Sequence, residues 1–191
     1  DLAGVSASQV EIQSGIQFYD GITTAEIQEI LIRSASDLID LDHPNYQFVA
    51  ARLLMFALRK QLYGRMRELP SLISHIETCI GKGVYDPAIL DLYTPEELEK
   101  IESFIDHPRD FLFTYAGLRQ VVDKYLVQDR STGQVYETPQ FMYMLIAATI
   151  FSKYPKETRL DYVKKYYDAI SRHKINIPTP IMAGVRTPLR Q

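Results

Sequence analysis

Tryptophan is missing from this 191-residue sequence, and cysteine occurs once, at Cys79. A single thiol excludes an internal disulfide, a cysteine-built zinc site and dithiol redox chemistry between residues of this sequence. Basic charge is also scarce. The 21 Lys and Arg against 24 Asp and Glu leave a formal net charge of −3, and phosphate neutralisation along a nucleic acid needs a basic face instead. The longest mostly apolar stretch, Phe141 to Phe151, falls short of the ~18–20 residues that cross a bilayer. No charged-then-apolar leader opens the sequence, so a reducing cytoplasmic location is expected, with no membrane or nucleic-acid partner and Cys79 a free thiol. The first residue is Asp1 rather than Met, which raises the expectation of a processed product or a segment of something longer.

Helical punctuation is what the sequence has in plenty. A cap-forming side chain stands just ahead of proline at Asp42 (with His43-Pro44), Asp86-Pro87, Thr94-Pro95 and Thr138-Pro139, and proline is tolerated at the first helical position because its missing N–H has no intrahelical partner there. Thr23 with Glu26 and Thr94 with Glu97 have capping-box spacing. Apolar residues then recur at helical spacing: Ile27, Ile30, Leu31, Ala35 and Leu38 form one stripe, and Phe48, Ala51, Leu54, Met55 and Leu58 another. Gly64 and the Gly81-Lys82-Gly83 run mark helix ends. These signals predict helices at about 7–17, 24–40, 44–62, 70–81, 95–105, 112–124, 139–152 and 156–172. Residues 125–128 and 134–137, joined by a five-residue turn holding Gly133, read as a hairpin, and Pro178 and Pro180 favour an extended strand over Ile175 to Met182. A boundary falls near Gly64 to Leu69.

Few residues propose chemistry by themselves. His43, His75, His107 and His173 are scattered and suggest no helical metal site. Cys79 reads as a small core hydrophobe near Ile76 and Ile80. Glu96, Glu97, Glu99 and Glu102 complement the positive end of a helix dipole. Tyr162, Tyr166 and Tyr167, among thirteen tyrosines, sit at a spacing that packing explains. No glycine-rich phosphate loop is present in the sequence.

Two stretches carry a resemblance. Ile177-Pro178-Thr179-Pro180-Ile181-Met182-Ala183-Gly184-Val185-Arg186-Thr187-Pro188-Leu189-Arg190-Gln191 resembles a signature of the large (alpha) subunit of class I ribonucleotide reductase, whose usual form has Thr where Leu189 stands. Ile16-Gln17-Phe18-Tyr19-Asp20-Gly21-Ile22-Thr23-Thr24, with Tyr46 to Arg52 and Arg59-Lys60, resembles the second part of that family's ATP-cone. Lys124 to Val127, Tyr136 to Phe141 and Glu157 to Leu160 resemble intermediate motifs, so the similarity runs through the chain in order, with bacterial and phage members nearest.

The resemblance implies a mainly α chain. A partial ATP-cone is expected at 1–64, a helical domain with a small β-hairpin at 65–174, and the first strand of a ten-stranded α/β barrel at 175–191. It implies part of an enzyme that reduces ribonucleoside diphosphates by a thiyl-radical mechanism under ATP and dATP control. The expected partners are the remainder of the large subunit, a metal-containing small (beta) subunit that supplies the radical, the diphosphate substrate, and thioredoxin or glutaredoxin as reductant. By position, Thr24 and Lys60 match effector-binding residues and Thr179 a substrate-contacting threonine. A helix N-terminus favours phosphate at Thr24, and Lys60 adds a compact positive charge. Cys79 matches no catalytic cysteine of the family and no metal ligand or covalently held cofactor is expected here, so the segment alone should be inactive. The alternative is a regulatory or assembly module, or a remnant that binds nucleotide or subunit without catalysis.

Overall fold

Among residues 2–64 and 66–190, which a computed structural model describes, ten α-helices follow one another. They are α1 (Ala7–Gly15), α2 (Thr24–Asp37), α3 (Tyr46–Tyr63), α4 (Leu72–Gly81), α5 (Ile89–Leu92), α6 (Pro95–Glu102), α7 (Tyr115–Gln120), α8 (Pro139–Phe151), α9 (Lys156–Ser171) and α10 (Thr179–Gly184). A 3-10 turn at His107–Phe111 and a π turn at Val121–Tyr125 complete the helical structure among the described residues. None of these helices is long and apolar enough to cross a membrane.

The chain divides into two compact units, the first taking in the described residues of Asp1–Met66 with Phe111–Gln120. Its longest helices, predicted at 24–40 and 44–62, run over Thr24–Asp37 and Tyr46–Tyr63. Thr23 and Glu26 form the reciprocal capping box that opens α2, and α3 ends on Gly64, whose φ of 68° is a left-handed conformation that glycine adopts without a Cβ penalty. α2 packs on α3, α1 on α2 and α7 on α3. The core gathers Val10, Ala35, Tyr46 and Ala50, with Leu31, Leu38, Val49, Leu53 and Tyr115 packed against them. Tyr46 is buried, but its hydroxyl is satisfied: it accepts from the Ser6 amide at 2.9 Å and donates to Gln9.

The second unit holds Arg67–Asp110 and the described residues of Val121–Gln191. α8 is buried without interruption from Pro139 to Ala148, so an apolar helix with no polar face serves as the unit's centre. α9 covers it, α6 packs on α9 and on α4, and α10 reaches α8 and the π turn. Two Arg–carboxylate contacts tie these elements together: Arg159 donates to Glu97, and Arg109 to Asp168 at 2.7 Å.

Four expectations need correction. The 125–137 hairpin reduces to one antiparallel bridge, Gln128 with Val135, closed by the Asp129 amide donating to Gln134 O at 2.8 Å, and no longer ladder forms among the described residues. The extended strand expected over Ile175 to Met182 does not form: 175–178 is neither strand nor helix, and from Thr179 the chain is α10. Pro180 lies in its first turn, where an amide has no intrahelical carbonyl to lose, and no strand among the described residues offers a ladder to extended backbone there. The helix predicted at 112–124 is α-helical over Tyr115–Gln120 and widens into the π turn. Finally, neither Asp42 nor Asp86 stands at the cap position of α3 or α5, which Asn45 and Ala88 occupy without a side-chain bond, and the Thr138 hydroxyl makes no cap bond.

Candidate functional site

In the first unit, α2 and α3 leave a cavity of about 390 Å³ between them. Its α2 wall is Thr24, Ala25, Gln28, Glu29 and Ile32, a helical i, i+4, i+8 face, and its α3 wall is Ala57, Lys60 and Gln61. Thr24 and Lys60, 36 positions apart in sequence, therefore face one space. The capping box explains why Thr24 is available: Thr23 accepts from the Glu26 amide at 3.2 Å, and the Glu26 carboxylate receives the Thr23 amide at 2.8 Å and the Tyr19 hydroxyl at 2.9 Å. Hydrogen bonds from the Thr23 side chain and backbone hold the Glu26 carboxyl below its usual range. Thr24, one position on, is exposed at the first helical turn, where amides lack intrahelical carbonyls and the helix dipole is positive. Lys60 is exposed on the facing helix and is the cation in the lining, with Glu29 as the anion. An anionic ligand that also carries polar groups for Gln28 and Gln61 suits such a space.

Thr179 belongs to the second unit, where it is the exposed first residue of α10. The sequence reading missed the buried polar cluster that follows it. Arg186 and Glu137 are both wholly buried and ion-paired. The Arg186 Nε donates to Glu137 Oε2 at 2.8 Å, Nη1 donates to Met182 O at 2.6 Å and Nη2 to Tyr125 O at 3.1 Å. Glu137 also accepts from the Val127 amide at 2.7 Å and from the Tyr85 hydroxyl. Burial and the Glu137 charge push the Tyr85 hydroxyl well above the usual tyrosine range. Burial opposes the Arg186 charge, and the Glu137 carboxylate more than offsets it, so the guanidinium stays charged. Glu137 lies in the stretch Tyr136 to Phe141 and Arg186 in Ile177 to Gln191, but nothing in either stretch signals a pairing across 49 positions.

His75 and Cys79 border this cluster. His75 bonds the Tyr85 hydroxyl at 3.0 Å and stacks on Phe141, and burial lowers its pKa to about 4. The Cys79 thiol lies 3.9 Å from His75 Nε2, yet burial raises its pKa to about 12, so it stays protonated and unreactive. His43 pairs with Asp40 on the surface, His107 packs edge-on against Phe141, and His173 sits just past α9. Among the described residues no three His, Cys, Asp or Glu side chains gather as metal ligands.

Two family models match the chain. Residues 3–61 match the ATP cone domain and residues 111–190 the ribonucleotide reductase all-alpha domain. The chain is 56% identical over its full length to 25% of the ribonucleoside-diphosphate reductase subunit alpha of Haemophilus influenzae. It is 55% identical, again over its full length, to 25% of the ribonucleoside-diphosphate reductase 1 subunit alpha of Escherichia coli. The subunit alpha of Enterobacteria phage T4 is 48% identical over 98% of the chain and 25% of that relative. The chain thus spans about a quarter of the length of the curated relatives it matches.

Proposed function

Since the chain belongs to the ribonucleotide reductase large-subunit family and carries its ATP cone and all-alpha domains, we propose that it serves as the regulatory, N-terminal part of an alpha subunit that reduces ribonucleoside diphosphates. The supporting observation is that Thr24 and Lys60 line one cavity between α2 and α3. In this reading Thr24 and the first-turn amides of α2 receive phosphate of ATP or dATP, and Lys60 neutralises part of its charge. Domain limits follow the same reading: an ATP cone to about residue 64, a helical domain to about 174, and a segment from 175 that leads into the subunit's ten-stranded barrel.

Thr179, exposed at the start of α10, is the proposed contact for the diphosphate substrate. The radical, in this reading, comes from a metal-containing small subunit and the electrons from thioredoxin or glutaredoxin through thiols elsewhere in the large subunit, in the cytoplasm. Cys79 takes no part, because its buried thiol does not ionise near neutral pH.

Nucleotide binding by these residues alone should be weak, since one lysine and a neighbouring glutamate face a ligand of several negative charges. Calorimetric titration of the 191-residue chain with ATP and dATP checks this, and micromolar affinity would overturn it. In the full alpha subunit, Lys60→Ala and Thr24→Val should remove the dependence of diphosphate reduction on ATP and dATP. An unchanged response in both variants would reject the effector site.

A further inference from the structure

The Glu137–Arg186 cluster does more than a stabilising contact requires. Burying two charges is costly, and apolar residues of similar volume often stabilise a core as well or better. What an Arg–carboxylate fork adds is direction, because a planar guanidinium fixes its partners' positions and orientations together. Here the fork joins four places in the chain. Glu137 immediately precedes Thr138, the cap position of α8, the Tyr125 carbonyl belongs to the π turn, the Met182 carbonyl lies within α10, and Arg186 itself follows α10. A fifth point is the backbone of Arg186, whose carbonyl accepts from the Asp86 amide at 3.0 Å, next to the Tyr85 that bonds Glu137.

α10 is a helix of six residues held at its far end by this fork, and Thr179 is its exposed first residue. A short helix pinned through its Met182 carbonyl moves as a body, so the angle of the fork sets the direction in which Thr179 points. We infer that Glu137 and Arg186 are positioning residues for Thr179, with Tyr85 holding the carboxylate in place. The inference rests on the reading that Thr179 contacts the diphosphate substrate.

The test uses the full alpha subunit with its small subunit and compares three single variants. Thr179→Val judges the underlying reading: KM for a ribonucleoside diphosphate should rise about tenfold, and an unchanged KM would reject the contact itself. Glu137→Gln keeps the shape and loses the charge. It should raise KM about fivefold while kcat stays within about twofold, because a displaced threonine weakens substrate binding before it touches the chemistry. Tyr85→Phe leaves the ion pair intact and should raise KM about twofold, and it carries the test if Glu137→Gln does not fold. If Thr179→Val raises KM but Tyr85→Phe and any folded Glu137→Gln lower only the melting temperature and leave KM at the wild-type value, the cluster is structural and the inference fails.

Discussion

The cavity between α2 and α3 and the cluster around Glu137 use polar residues in opposite ways. In the cavity Thr24 and Lys60 are exposed, and the neighbouring capping box takes up Thr23 and Glu26 without engaging them. In the cluster the polar atoms are spent on one another: five nitrogen-to-oxygen contacts leave Arg186, and Glu137 also takes an amide and a hydroxyl. A group that must meet a ligand is left available at some expense of local stability, whereas a group that orients the fold is saturated and dry. Stability and binding should therefore respond in opposite ways to substitution in the two regions.

The largest effect should come from breaking the saturated pair. Arg186→Ala strands the Glu137 carboxylate in the core and should cost about 3–5 kcal/mol, read as a fall in the denaturation midpoint of the 191-residue chain. Replacing both partners, as in Glu137→Leu with Arg186→Met, removes the stranded charge and should recover most of that loss. A double variant as unstable as Arg186→Ala would mean that the hydrogen bonds to Tyr125 and Met182, rather than the charge balance, hold the region together.

His75, beside the same cluster, gives the next effect through pH. Burial lowers its folded pKa from 6.5 to about 4, against the opposing pull of Glu137. Between those values the unfolded chain binds more protons than the folded one, so stability is complete above pH ~6.5 and declines as pH falls toward ~4. A shift of that size corresponds to a loss of about 3 kcal/mol. Denaturation midpoints measured from pH 7 to 4.5 should fall, and His75→Gln should flatten that slope. An equal slope in the variant would assign the acid sensitivity to the carboxylates.

The two regions also differ in how readable they were. Capping boxes and apolar stripes mark α2, α3 and α6 because each signal is local, spanning one or two turns. α10 was misread because Pro178 and Pro180 disfavour helix in an interior but not in a first turn, and the sequence does not say which applies. The hairpin is reduced because β-prone residues at 125–128 and 134–137 yield one bridge when no third strand among the described residues supports them. Glu137 and Arg186 went unnoticed as a pair because their contact is a tertiary event. Thr24 and Lys60 were singled out by family resemblance, and the helical spacing of neither α2 nor α3 would have chosen them over Gln28 or Gln61.

The smallest effect on stability should come from the cavity, and its smallness is informative. Thr23→Ala removes half of the capping box and should cost about 1 kcal/mol, since it strands first-turn donors of α2. Lys60→Ala, at an exposed position on α3, should change stability by less than about 0.5 kcal/mol. Denaturation curves of the two variants, collected together, put that ordering to the test. If Lys60→Ala proved the more damaging, its side chain would be employed within the fold like Arg186, and the contrast between an available and a saturated region would fail at its simplest point. If the order holds, any loss of nucleotide response in the Lys60 variant of the full subunit reflects a lost ligand contact, because the helix that carries it is intact.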